Sequence, residues 1–168
     1  MRQRQKQELA TLREELKALR RKIPEDPVAF MHEFLGFHPT KYQLDLIEKF
    51  QKHQFVAARW CRQSGKSHTI AALLLHYALT HPNTNIGVVG PSWRQTKLVI
   101  RRINQFLRKL PKGYYHKPQH TIVRLKNGSI IEAFPNNPET IRGPTLNVVY
   151  ADEFNFIAND EELYDAIL

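Results

Sequence analysis

Acidic residues are missing from the long middle of this sequence. Between Lys49 and Ile131 there is no Asp or Glu, against fifteen Lys and Arg. A basic stretch of that size suits a polyanion partner, either nucleotide or nucleic acid or both; the plain alternative is a solvated, high-pI surface. Cysteine is almost missing too. Cys61 stands alone, which excludes a disulfide framework and a Cys-rich zinc site and suits a reducing compartment. No apolar run approaches about 18 residues, so no spanning helix is encoded. The N-terminus is too polar for a signal peptide. What remains is ordinary for a globular chain: 168 residues with 42% apolar and 24% charged side chains. That length can bury a core without a staple, as one domain or one domain with an appendage.

The net charge of +9 is unevenly placed. Residues 1–22 carry eight Lys and Arg against three Glu, and residues 132–168 carry eight acids against Arg142. Leu9, Leu12, Leu16 and Leu19 recur at helical spacing, which predicts a short basic amphipathic helix over 1–22. Pro24 and Pro27 break that pattern and make 23–28 a linker candidate. Residues 28–36 and 41–53 read as short helices. The apolar run Phe55–Cys61 reads as a buried strand, followed by a turn and an apolar helix from Lys66 to Leu79. Asn85–Gly90 reads as a second strand. The helix over 93–110 buries Val99, Ile103, Phe106 and Leu110 and turns Arg94, Arg101, Gln105, Arg108 and Lys109 outward. Lys126-Asn127-Gly128 between alternating runs predicts a hairpin. Residues 135–144 read as a loop, and Leu146–Ala151 as an apolar strand. Strands alternating with helices give an α/β fold, with a mostly parallel sheet and an inserted hairpin.

Three groups of residues carry chemistry. The first is Arg62-Gln63-Ser64-Gly65-Lys66-Ser67, between an apolar strand and an apolar helix. A phosphate-binding loop needs backbone N–H groups turned inward, a Lys for the β- and γ-phosphates, a hydroxyl for Mg²⁺ and a helix N-terminus. Gly65, Lys66 and Ser67 supply these, although Trp60 stands where the usual pattern has its first glycine. The alternative is a helix cap that happens to read this way. The second is an apolar strand ending in Asp152-Glu153. Asp152 would hold Mg²⁺ through water and Glu153 would polarise the attacking water; the alternative is an acidic pair that caps the next helix. The third is Tyr42-Gln43, whose ring and amide suit an adenine base. The alternative is a helix start with Thr40 as cap and Tyr42 in the core.

Tyr42-Gln43, the glycine-poor loop, the hairpin, Arg142-Gly143 and the Asp152-Glu153 strand come in one order. That order resembles the N-terminal ATPase domain of the large terminase subunit, the DNA-packaging motor of tailed phages and related viruses, over roughly residues 28–160. The resemblance implies a P-loop NTPase fold of the ASCE, RecA-like kind, with ATP and Mg²⁺ as ligands. It gives Lys66 and Ser67 to phosphate and metal, Arg62 to the γ-phosphate and transition-state charge, Asp152 and Glu153 to metal and catalysis, and Tyr42 and Gln43 to adenine. Its implied partners are double-stranded DNA, further copies in a ring on a portal, and a small terminase subunit, with no membrane. The compartment it implies is the cytoplasm of an infected cell. Arg101, Arg102 and Arg142 are candidates for a finger acting on a neighbour's site.

The family continues beyond Glu153 with another strand, more ATPase core and a nuclease domain. Residues 23–168 are therefore expected to form a partial ATPase domain: an engineered truncation, a decayed gene or one part of a split protein. In the ATPase class resembled, that further strand separates the loop's strand from the strand of Asp152, so a gap is expected there, unless the two strands pair directly. Two other readings stay open. One is a DExH-type helicase or other DNA-dependent ATPase, against which Phe154-Asn155 after the acidic pair counts. The other is a non-catalytic product that binds DNA or assembly partners.

Overall fold

The computed structural model describes Gln7, Thr11, Leu12 and residues 22–61, 63–143, 145–157 and 160–167. The helix expected over 1–22 lies outside the described residues apart from Gln7, Thr11, Leu12 and Lys22, and so does Arg62.

The chain runs α1 (Pro27–Phe30), a π-helical turn Met31–Leu35, α2 (Lys41–Lys52), α3 (Lys66–Thr80), β1 (Asn85–Val89) and α4 (Trp93–Leu107). It continues through β2 (Ile122–Arg124), β3 (Ile130–Ala133), α5 (Pro138–Arg142), β4 (Val148–Ala151) and α6 (Asp160–Ile167). The strands form one sheet in the order β2-β3-β1-β4. β1 pairs in parallel with both β3 and β4, and β2 pairs antiparallel with β3. The expected α/β fold with a mostly parallel sheet and an inserted hairpin is what the chain adopts.

The reasons are local. α3 is apolar nearly all round, and Ala71, Ala72, Leu73, Leu74, Leu75 and Ala78 are buried. Such a helix must lie inside its domain. α4 is one-sided: Val99, Ile100, Ile103, Phe106 and Leu107 are buried, and Leu110 just beyond it is too. Arg94, Arg101, Gln105, Arg108 and Lys109 are exposed on the other side, as the periodicity predicts. The hairpin turn places Gly128 at φ 89°, a left-handed conformation that glycine adopts without cost. Beside it, Asn127 Nδ2 donates to the carbonyls of Ala78 (2.7 Å) and Leu79 (3.2 Å). One turn residue thus serves both the hairpin and the carbonyls that the end of α3 leaves unpaired.

Three expectations are corrected. Residues 55–61 form no strand: the segment carries no regular secondary structure, and Phe55 is 64% exposed. An apolar run becomes a strand only where a neighbour supplies the hydrogen bonds. Here β4 pairs with β1 alone, and residues 55–61 do not join its open edge. The direct pairing of this segment with β4 is therefore not formed, and β4 stands at the sheet edge with all four residues half-buried. The loop expected over 135–144 contains α5, because Asn137 caps it (Glu139 N–H to Oδ1, 3.0 Å) and Pro138 starts it. The 23–28 linker is docked on the core. Ile23, Pro27 and Phe30 are buried, and His76 Nε2 on α3 donates to the Pro24 carbonyl at 2.9 Å.

The burial of His76 predicts a pH dependence. Burial holds the His76 imidazole below its usual 6.5; the Pro24 carbonyl and Asp26 pull the other way, and His81 adds to the lowering. His68 is lowered as well, by burial and then by Arg102 and Lys109. The unfolded chain therefore binds protons that the folded chain refuses, so stability rises with pH in this range. It is complete above the unfolded value near 6.5 and is lost as pH falls through the lower folded values. The thermal midpoint is expected to fall by a few degrees between about pH 7.5 and 5.5, and His76→Gln should remove part of that fall. A midpoint that held or rose on acidification would contradict it.

Candidate active site

The loop Gln63–Lys66 is bent by two left-handed residues, Gln63 at φ 61° and Gly65 at φ 79°. Such turns point successive N–H groups into one concavity, and α3 begins directly after, adding the positive end of its dipole. Gly65 is required twice over. Its φ disfavours any side chain, and a Cβ there would stand 2.7 Å from Gln43 Nε2.

Tyr42 and Gln43 lie against this loop. The Tyr42 hydroxyl donates to the Ser64 carbonyl (2.8 Å), and Gln43 Nε2 reaches the same oxygen (3.2 Å). Gln43 is buried, and its Oε1 accepts the Thr40 N–H at 2.8 Å, part of the capping box that opens α2. The Tyr42 ring packs edge-on against Trp60, 5.0 Å between centroids. Both residues thus hold the loop's backbone, with Thr40 as the cap and Tyr42 46% exposed rather than in the core.

On the far side of the loop stands the end of β4. Asp152 N–H donates to the Val89 carbonyl (2.8 Å), which extends the β1–β4 register past the strand. Lys66 Nζ lies 3.4 Å from Asp152 Oδ1, with the two side chains 27% and 14% exposed. The first and second groups of sequence candidates therefore meet, although 55–61 and β4 never pair. Glu153 follows in the left-handed region at φ 49°, an uncommon conformation for a side chain of this kind and one that recurs at functional sites. Ser67 sits half-buried in the first turn of α3. Arg101 and Arg142 are exposed, whereas Arg102 lies 3.5 Å from His68 Nδ1.

Two partners of this site escaped the sequence reading. The Tyr150 hydroxyl donates to Asp152 Oδ1 at 2.7 Å. Burial, followed by the charge of Asp152, pushes that phenol far above its ordinary value, so it remains a donor. Their i, i+2 spacing on a strand was the available signal, because it puts both side chains on one face. The second is Gln95, whose Nε2 donates to Glu153 Oε2 at 2.9 Å. It is 58 residues away in sequence, and only the adjacency of β1 and β4 brings it there.

The arrangement fits a magnesium-bound nucleoside triphosphate. The Ser64 hydroxyl is buried in the loop with no partner, an unusual state for a buried polar atom. Asp152 and Ser67, one carboxylate and one hydroxyl, suit Mg²⁺, which keeps its waters and takes phosphate oxygens in place of an all-protein cage.

A family profile described as "Terminase large subunit, T4likevirus-type, N-terminal" matches residues 60–167. Tripartite terminase subunit 3 of human herpesvirus 8 type P (isolate GK18) is 28% identical over 111 residues, which is 59% of this chain and 15% of that protein. Among solved structures, the large terminase ATPase domain of Thermus phage P74-26 superposes with a TM-score of 0.66 at 22% identity, covering 88% of this chain and 66% of that one. A point mutant of the same domain gives 0.64 at 21%, covering 82% and 63%. At that identity the two structures speak for the fold. The profile spans well over half of the sequence, and the chain belongs to the terminase large subunit family, in its T4likevirus-type N-terminal part.

Proposed function

We propose that the chain binds ATP with Mg²⁺ between the Gln63–Ser67 loop and the end of β4, and hydrolyses it as part of a viral DNA-packaging motor. The observation that carries this reading is the 3.4 Å approach of Lys66 to Asp152. It joins a phosphate-type cation to a metal-type carboxylate across a loop built for anions.

In this reading the loop's N–H groups and the Ser64 hydroxyl receive the phosphates. Lys66 leaves Asp152 for the β- and γ-phosphate oxygens. Ser67 and Asp152 hold Mg²⁺, which neutralises phosphate charge when bound. Glu153 accepts a proton from water as the water's oxygen attacks the γ-phosphorus and the bond to the bridging oxygen breaks. Tyr42 and Gln43 fix the loop that does the binding, and their contact with adenine belongs to the same proposal. Arg62 would meet developing charge on the γ-phosphate. The exposed basic side of α4 suits duplex DNA. A ring of copies on a portal, with a small subunit and in an infected cell, is the setting in which hydrolysis would move that DNA.

The test is phosphate release from ATP and Mg²⁺ by the whole chain, with and without duplex DNA. Turnover that DNA stimulates, with stimulation fading as salt rises, supports the reading. Turnover that ignores DNA at low salt would remove the packaging part of it.

A further inference from the structure

We propose that Tyr150 is a positioning residue for the metal site: its hydroxyl holds the Asp152 carboxylate by Oδ1 and leaves Oδ2 for Mg²⁺ or one of its waters. This rests on Asp152 as the carboxylate that holds the metal.

Tyr150 is itself well fixed. It stands opposite Val88 in the parallel β1–β4 ladder. Its side chain packs against the main core, which Val88 and the buried residues of α3 help to form. A tyrosine held in this way has only two torsions to lose. Two residues on, the Asp152 N–H donates to the Val89 carbonyl, so the backbone that carries the carboxylate is fixed too. What remains free is the last torsion of the Asp152 side chain, which for a carboxylate is broad and two-fold. The phenol settles it, because 2.7 Å to Oδ1 is a short bond to a charged acceptor.

Both side-chain contacts of Asp152 fall on one oxygen. Oδ1 accepts from Tyr150 and lies 3.4 Å from Lys66 Nζ, and among the described residues nothing engages Oδ2. The two contacts differ in how long they last. In the proposed reaction Lys66 turns to the phosphates when nucleotide binds. The phenol has Asp152 as its one acceptor among the described residues, so it stays on Oδ1 after Lys66 has left. Mg²⁺ demands near-ideal octahedral geometry. A carboxylate whose rotamer is already set therefore binds it better than one that turns. Hydrogen bonds that orient a ligating group are typically worth roughly 10- to 100-fold in metal affinity or activity.

The experiment measures binding of a non-hydrolysable ATP analogue to the whole chain, with Mg²⁺ and with the metal chelated. Tyr150→Phe keeps the ring and removes only the hydroxyl. Its affinity with Mg²⁺ should fall about tenfold, while its affinity in chelator stays at the wild-type value. A hydroxyl that served packing alone would shift both values or neither. In an Asp152→Ala background the same change should cost nothing further, the non-additivity expected of two residues acting as one. Loss under both conditions, loss under neither, or additive losses would overturn the proposal. A wild-type affinity that is equal with Mg²⁺ and in chelator would overturn Asp152 as a metal ligand, and the proposal with it. A second readout leaves Tyr150 in place. Its ring resonances, followed by NMR in the analogue complex, should move when Mg²⁺ is added to the wild-type chain and hold still in Asp152→Ala. A ring that ignores Mg²⁺ in a chain whose affinity responds to it would overturn the positioning role alone.

Discussion

Replacing Lys66 by alanine should reduce nucleotide affinity about a hundredfold or more while leaving the chain folded. The ammonium is the only cation among the described residues of the Gln63–Ser67 loop, and preorganised electrostatic contacts of this kind are worth roughly 3–4 kcal/mol. Folding should survive because the partner left behind is not orphaned: Asp152 still accepts from the Tyr150 hydroxyl at 2.7 Å. Lys66 itself is half-buried and precedes the buried run of α3, which begins at Thr69. Anisotropy of a fluorescent ATP analogue measures the affinity, and a thermal melt measures the fold. Equal affinity in both chains would mean that the loop does not receive the phosphates.

Glu153→Gln separates binding from chemistry. The amide matches the carboxylate in shape and can occupy the same left-handed backbone position. Its oxygen can still accept from Gln95 Nε2. What it cannot do is take a proton from water. Turnover should therefore fall by about 10² to 10⁴ with nucleotide affinity intact, since Lys66, Ser67 and Asp152 are untouched. Phosphate release and equilibrium binding on the same preparation give both numbers. Unchanged turnover would remove Glu153 from the role of base, and a parallel loss of binding would make its role structural.

How much of this was legible in the sequence depended on how local the cause was. α4 was readable because a one-sided helix writes its period into the residues that it buries. The hairpin was readable because Asn127-Gly128 meets the turn's demand for a left-handed residue. Lys66 and Asp152 were readable as motif residues, each at the junction of an element and a turn. Residues 55–61 were not readable, since an apolar run does not reveal whether a neighbouring strand exists to complete it. Whether 23–28 would dock was equally hidden: it depends on His76, far along the chain, offering a donor to Pro24. α5 could have been found, because Asn137-Pro138 is a cap followed by a first-turn proline. Gln95 could not, because a polar residue on an amphipathic helix looks like any other exposed one until the sheet order is known. β4 and residues 55–61 share no hydrogen-bond ladder, so the direct pairing that the sequence left open is not formed.

The central claim is that the Gln63–Ser67 loop and Asp152 together form a site for a magnesium-bound triphosphate. Calorimetric titration of the whole chain with a non-hydrolysable ATP analogue tests it most directly, run with Mg²⁺ and again with the metal chelated. Saturable binding at one site, weakened by chelation and by Asp152→Asn, is the predicted result. A folded chain that binds no analogue under either condition, at concentrations up to the millimolar range that weak sites require, would contradict it.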